Sequence, residues 1–508
     1  MRGFSGPLPL ANALTPKKSR AGMRMRWSRI PCACGRAGCT RQRLGKGILL
    51  PWRRFLLLTF PWIAICCRNL AHRDGAMSRP DNSASVGRAS GAGLLAISNS
   101  RRWVVVGLLF VASFINYLDR ATISVALPLI SVDLRLGPET KGLLLSSFFW
   151  SYALMQIPIG WCADRWNLRW LYAGLFAVWS LACGLTGFAG SLLVLILLRI
   201  LLGIGESIYL PGGTKIVSML FPSPERGFPS GLFDSGTRLG LAVGAPLIAT
   251  LIMFCGWRNM FALVGFTAVI WLVPWLLAAP KNLQGVRSAA AAAGSPPARR
   301  IHFNRNLLGI CLGFFCFDYY WYLLVTWLPD YLVTVRHLTL VRAGFYAALP
   351  YFVFGACQAL GGWITDWFIR WGWDETRTRK TMLTVAFLTG LLLIPAARAE
   401  SALGALAFLM GGSLAGLATG NMFAVLQSCA PPDEVGIWTG FENFAGNIGG
   451  VLAPIVTGFL IARTGTYLPG FALAAGVLVA GLLAYWFVVG ELKPITWSIG
   501  SSGDRVIR

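Results

Sequence analysis

Apolar stretches recur along this chain from Trp103 to Val489, each about twenty residues long, which is the length of helix that crosses a hydrocarbon layer roughly 30 Å thick. Lipid offers no partners to backbone N–H and C=O groups, and a helix satisfies them internally. A β-barrel would need strands alternating polar and apolar residues, and these runs do not alternate. Hydrophobic residues make up 56% of the 508 residues and charged ones only 13%, against about 25% charged in a soluble domain. The expected fold class is an all-α membrane protein.

The formal charge of +25 suggests nucleic acid until it is divided along the chain. Residues 1–76 hold 15 Lys and Arg against one acid, Asp74, and the remaining excess fits the basic bias of cytoplasmic loops. No nucleic-acid partner is expected. Cys32, Cys34 and Cys39 lack zinc spacing and a second ligand pair. Cysteines in apolar runs, such as Cys162, Cys183 and Cys357, read as small hydrophobes. Neither a metal, a cofactor nor a disulfide framework is expected.

Residues 1–76 are Arg-rich and irregular, and their one apolar run, 55–67, is interrupted by Pro61. It is too short to span a bilayer, and no small-residue cleavage site marks it as a signal peptide. We expect translation to start at Met77, ahead of a polar arm at 77–102. The alternative for the extension is a basic arm that binds anionic lipid.

Twelve transmembrane helices are expected, at 103–130, 141–163, 169–188, 191–212, 230–254, 259–279, 306–333, 344–369, 380–397, 401–427, 436–461 and 467–490. They divide into bundles at 103–279 and 306–490, joined by a flexible linker at 280–305 and followed by a tail at 491–508. The halves repeat: Gly160-Trp-Cys-Ala-Asp164 recurs as Gly362-Trp-Ile-Thr-Asp366, 202 residues later. Two pseudo-symmetric six-helix bundles would hold a substrate between them near the midplane. Basic residues gather in loops 2–3 (Arg165, Arg169), 6–7 and 8–9 (Arg370, Arg377, Arg379, Lys380), so both termini and the linker are expected in the cytoplasm.

A charge at mid-bilayer costs about 2.5–3.5 kcal/mol, which makes intramembrane ionisable residues functional candidates. The first span holds Asn116-Tyr-Leu-Asp-Arg120, and the fourth holds Arg199 and Glu206 on one face. Asp119 and Arg120 point about 100° apart, so each wants a partner on another helix. One arrangement leaves Arg120 available for an anion, with Asp119 near Arg199 and Glu206 close by. The alternative is an ion-pair network that only fixes packing. Asp234 and Arg238 have the i,i+4 spacing of an internal pair, and Asp318 and Glu442 are further acids of uncertain depth. Gly236, Gly240 and Gly244 form a small-residue stripe that would suit rocking of one bundle against the other. Tyr319, Tyr320, Trp321 and Tyr322 read equally as an interfacial belt or as a cavity wall. No phosphate-binding loop and no nucleophile-and-base motif stands out, so neither a built-in ATP motor nor an enzyme is expected.

At Asn116-Tyr-Leu-Asp-Arg120, Arg199…Glu206, and Gly440-Phe-Glu-Asn-Phe-Ala-Gly-Asn-Ile-Gly-Gly450…Pro454, the chain resembles the anion:cation symporter family of the major facilitator superfamily. Gly160, Asp164 and Arg165 resemble the superfamily's loop 2–3 motif, with Asn167 where a Gly is usual. The resemblance implies the major facilitator fold and proton-coupled uptake of a small organic anion, most simply a sugar acid such as an aldonate, aldarate or uronate. It implies that Arg120 binds the substrate carboxylate, that Tyr117 and Tyr152 line the site, and that Asn443 or Asn447 meets substrate hydroxyls. Thr237 falls where some sugar-acid carriers have a Gln, and Asn421-Met-Phe423 where the family often has a Trp. Tyr322 is a further candidate for the wall. Glu206 would be the main proton carrier and Asp119 the second, coupled through Arg199. The expected setting is a monomer in a bacterial inner membrane. The rival readings are a proton-antiport exporter of hydrophobic or aromatic compounds and a transport-inactive sensor.

Overall fold

The computed structural model describes residues 95, 97–136, 138–284, 303–493, 497–499 and 505–507. The extension 1–76 with its proposed Met77 start, most of the 77–102 arm and the middle of the 280–305 linker lie outside the described residues.

Helices fill the membrane body. α1 is Asn99–Asp133, α2 Pro138–Arg165 and α3 Leu168–Thr186. α4 spans Leu192–Leu220, interrupted by a turn at 207–208. The next segment, Gly227–Ala278, has 52 residues. As one straight helix it would reach about 78 Å, more than twice the hydrocarbon thickness. Gly256, at φ 76° and ψ 164°, breaks it in a backbone region essentially reserved for glycine. It therefore makes two passes, α5 (227–255) and α6 (257–278). α7 (Arg305–Thr334), α8 (Leu340–Arg370), α9 (Glu375–Arg398), α10 (Ala402–Cys429), α11 (Val435–Thr464) and α12 (Leu468–Val488) complete the twelve. A short antiparallel pair, β1 (Trp497–Ile499) and β2 (Arg505–Ile507), lies in the tail.

Side chains set many of the helix starts. Ser98, Asn167, Ser191, Asn304, Thr339, Asp374 and Ser401 each accept from a backbone N–H of the first turn, a donor that would otherwise lack a partner. α9 begins at Glu375 rather than near 380 because its first turn, Glu-Thr-Arg-Thr-Arg, is polar and Asp374 caps it. α4 continues past 212 to Leu220 and so carries Lys215 inside the helix.

Within the first half α1 packs along α5, and α2 and α3 pack on α4; within the second, α7 packs along α11 and α8 on α10. The halves meet where α5 lies on α8 and α2 on α11. The Gly236, Gly240 and Gly244 stripe does not serve that junction. It faces α1, where a Cβ on Gly240 would stand 2.6 Å from Phe114 O, so it is a joint inside the first half. Other glycines bring the halves together. A Cβ on Gly160 would stand 2.5 Å from Gly436 O and one on Gly440 2.5 Å from Gln156 O. Gly231 abuts Gln358 O, and Gly362 abuts Gly227 O.

The repeated motif explains why the junction forms at the loop 2–3 end. Asp164 of α2 accepts from Gly436 N–H and Ile437 N–H, both at 2.8 Å, in the first turn of α11. Lys215 Nζ lies 2.6 Å from the same carboxylate and donates to Pro432 O at 2.6 Å. In the other half Asp366 accepts from Gly227 N–H at 3.1 Å and Phe228 N–H at 2.7 Å, at the start of α5, with Arg379 at 3.1 Å. A helix N-terminus offers free N–H groups and partial positive charge, so each carboxylate docks its own half onto a helix of the other. Arg165 takes no part. It is exposed, lies 4.1 Å over the Trp161 ring and donates to Trp161 O at 3.3 Å.

Candidate functional site

Beyond the docks, helices from both halves converge on a cavity. The first half contributes Tyr117 and Arg120 of α1, Tyr152 of α2, Tyr209 of α4, and Asp234 with Arg238 of α5. The second contributes Asp318 and Tyr322 of α7, Thr419 and Phe423 of α10, and Asn443 of α11. The spacings 117/120, 234/238 and 318/322 put each pair on one helix face. α4 is interrupted just after Glu206, and α10 passes through a 3₁₀ stretch, Ser413–Ala418, just before Thr419. Irregular backbone in a membrane helix is tolerated where protein buries it or it lines a cavity.

Arg120 dominates the wall. Its Nε lies 2.9 Å from Glu206 Oε2, and its guanidinium sits 4.4 Å from the Tyr152 ring, 4.8 Å from Tyr117 and 5.0 Å from Phe148. Each such contact is worth up to about 2 kcal/mol when desolvated. Three together therefore offset a burial cost of about 2.5–3.5 kcal/mol without using an N–H. The second terminal nitrogen of Arg120 and the other oxygen of Glu206 are buried with no hydrogen-bond partner.

Asp119 points away from the cavity, as its 100° offset from Arg120 requires. One oxygen accepts from Cys183 Sγ at 3.5 Å, and the other is buried without a partner. It interacts electrostatically with Glu206 and Arg199. Arg199 lies 5.0 Å over Phe148, with Nε unpartnered. The sequence reading placed Arg120 free and Asp119 beside Arg199. The structure gives Glu206 to Arg120 instead, and no Asp119–Arg199 ion pair within 4 Å occurs among the described residues.

The Asp234–Arg238 spacing does not produce an ion pair either. Asp234 accepts from Tyr209 OH and from Gln358 Nε2 at 2.7 Å. With both oxygens occupied by neutral donors, Arg238 turns onto aromatic faces, 3.8 Å from Trp321 and 5.2 Å from Phe354.

The remaining candidates separate cleanly. Asn443 lines the cavity and donates to Tyr152 OH at 3.1 Å across the junction. Asn447 donates to Asn443 O at 2.7 Å within α11, and Thr237 to Asp234 O at 2.7 Å within α5; neither is part of the lining. Tyr319, Tyr320 and Trp321 of the aromatic run of α7 are buried rather than part of an interfacial belt, and of its four residues only Tyr322 lines the cavity. Tyr320 OH donates to Gly412 O at 2.9 Å, Trp321 carries Arg238, and Tyr322 faces the cavity. Sequence reasoning missed Lys215, Tyr209 and Gln358. A lone base inside an apolar run was the available signal for Lys215; Gln358 offered only an amide in a long apolar helix. Among the described residues no cluster of His, Cys, Asp or Glu could hold a metal ion.

Known proteins share this architecture. Residues 109–437 match the family Major Facilitator Superfamily. A protein of Escherichia coli K12 named "Probable L-galactonate transporter" is 34% identical over 406 residues, covering 76% of this chain and 88% of its own. One of Bacillus subtilis 168 named "Probable galactarate/D-glucarate transporter" is 30% identical over 426 residues, covering 78% and 93%. The solved structure of a proton:xylose symporter superposes with a TM-score of 0.63 at 14% identity, covering 78% of this chain and 98% of its own; that likeness is one of fold. With twelve membrane passes and a cavity walled by both halves, the chain belongs to the Major Facilitator Superfamily and is a transporter rather than an enzyme.

Proposed function

We propose that this transporter takes up a sugar acid together with protons, across the inner membrane of a bacterium and as a monomer. The observation that carries the reading is the Arg120–Glu206 pair, 2.9 Å apart in the cavity wall, with a guanidinium nitrogen and a carboxylate oxygen both left unpartnered. A proton reaching Glu206 cancels the charge that holds Arg120 Nε. The guanidinium is then free to grip a substrate carboxylate through parallel N–H donors. Asp119, behind it and half unpartnered, is the second proton carrier, coupled through Arg199. Tyr117, Tyr152, Tyr322 and Asn443 supply hydroxyl and amide groups for a polyol chain. Relatives named for galactonate and for galactarate or glucarate support this class.

The basic residues of loops 2–3 and 8–9 support a cytoplasmic setting for the docked end. In that orientation the two Asp docks close the cytoplasmic side, and substrate enters from outside. Release then requires both docks to part, in the rocking of one bundle on the other that this fold uses. Proteoliposomes loaded at neutral pH and diluted into acidic buffer, offered labelled galactonate, glucarate and a hexuronate, provide the test. Accumulation of one acid above its external concentration, collapsed by a protonophore, is the expected result. No uptake of any acid, with efflux of a hydrophobic dye, would replace this reading with the exporter.

A further inference from the structure

The cavity holds a second cation that a one-carboxylate substrate would not use. We infer that Arg238, together with Arg120, makes the site selective for a short-chain diacid, with one carboxylate on each guanidinium. This rests on the sugar-acid reading above and narrows it.

Both arginines line the same cavity. Their guanidinium carbons lie 4.8 and 6.0 Å from one ring centroid, that of Tyr117, so their separation cannot exceed the two distances combined. An extended six-carbon chain separates its terminal carboxyl carbons by roughly 6 Å on standard bond lengths, which lies within that upper bound. Each arginine is held through its face: Arg120 over Tyr152 at 4.4 Å, Arg238 over Trp321 at 3.8 Å. Stacking of this kind leaves the in-plane N–H edges for a carboxylate. Each also has a buried nitrogen with no partner, the second terminal nitrogen on Arg120 and Nε on Arg238.

The neighbouring acids do not consume Arg238. Asp234, one turn away, gives both oxygens to Tyr209 and Gln358. Asp318 shares the cavity but is turned against Gly446 of α11. No ion pair to Arg238 within 4 Å occurs among the described residues. Gly355 of α8 stands where any side chain would strike Arg238 Cβ, which is 3.0 Å from the position of its missing Cβ. The arginine is thus seated by the junction between halves, with Asp234 and Asp318 near enough to act on its charge but with no carboxylate on its unpartnered Nε. A site built around a buried ionic group discriminates strongly against an analogue lacking the partner.

Galactarate and galactonate make a matched pair of probes. They share configuration along the chain and differ only at C6, a carboxylate in one and a hydroxymethyl group in the other. Uptake by the full chain in proteoliposomes under an inward proton gradient should favour galactarate at least tenfold in kcat/KM. Arg238→Gln should lower that galactarate-to-galactonate ratio at least tenfold, and Arg238→Lys, which keeps the charge, should restore part of it. A wild type that prefers galactonate overturns the inference whatever the variants do, and leaves the sugar-acid reading intact. A ratio unchanged in Arg238→Gln also overturns it. A wild type that carries neither acid, nor any other in the panel above, ends both readings.

Discussion

The two halves of this transporter are alike at their loop motifs and unlike in their interiors. At the junction, Asp164 and Asp366 perform the same act, each capping the first turn of a helix in the opposite half with a base beside it. Deeper in, the symmetry ends. The first half mixes both signs on α1 and α4, with Asp119, Arg120, Arg199 and Glu206 close enough to interact. The second half has Asp318 and Glu442, and Glu442 is fully buried with neither oxygen partnered. What repeats is the hardware for moving; what does not repeat is the chemistry. In the uptake proposed above, the half with acids and bases in contact is the one that takes a proton along with the substrate anion. A half lined by Tyr322, Phe423 and Asn443 can shape the cavity around it.

Four measurements would sharpen or break that contrast. Arg120→Ala removes the cation at its centre and strands Glu206. Loss of a buried pair's partner is worth about 3–5 kcal/mol, so uptake should fall at least about 100-fold in protein that still inserts normally. Next comes the comparison of Glu206→Gln with Glu442→Gln. The first should reduce gradient-driven accumulation to simple equilibration while substrate counterflow survives. The second should keep accumulation within about twofold, since Glu442 answers no base; equal losses would show that both halves carry protons. Smaller effects belong to the docks. Hydrogen bonds to a charged group are worth about 1.5–3 kcal/mol, so Asp164→Asn and Asp366→Asn should each shift the population toward a state open at the docked end by about tenfold or more. Spin-label distances between α5 and α8 would read this, and unequal shifts would show that one dock governs closure. Smallest is Thr237→Val, whose lost hydroxyl donated only to Asp234 O within its own helix. Its KM should move less than about threefold.

The passes and the repeat were legible because each rests on a local rule: enough apolar residues to cross lipid, and a Gly…Asp signature copied 202 residues later. The polar start of α9 and the extension of α4 through Lys215 were not, because buried bases with buried partners look like loop residues when only hydropathy is counted. Arg120, Tyr117, Tyr152, Tyr322 and Asn443 line one cavity. The pairings were less legible. Spacing alone joined Asp234 to Arg238, but Tyr209, Gln358 and Trp321, from three other helices, decided otherwise. The same holds for Glu206, whose choice of Arg120 over Arg199 depends on how α1 crosses α4. Helix-borne periodicity fixes which face a residue takes and says little about which of two nearby partners it meets.

The glycine contacts at the junction have a consequence for how easily it lets go. Where Gly160 meets Gly436, Gly231 meets Gln358 and Gly362 meets Gly227, backbone lies on backbone. Separating two surfaces of packed leucines would expose hydrocarbon to water at about 25 cal/mol for every Å² uncovered. Parting these surfaces uncovers mostly peptide groups, which water solvates readily. What holds the seam is therefore its polar side chains, the two Asp docks together with Gln358 on Asp234 and Asn443 on Tyr152, and these are the contacts that must let go before the glycine surfaces can slide apart.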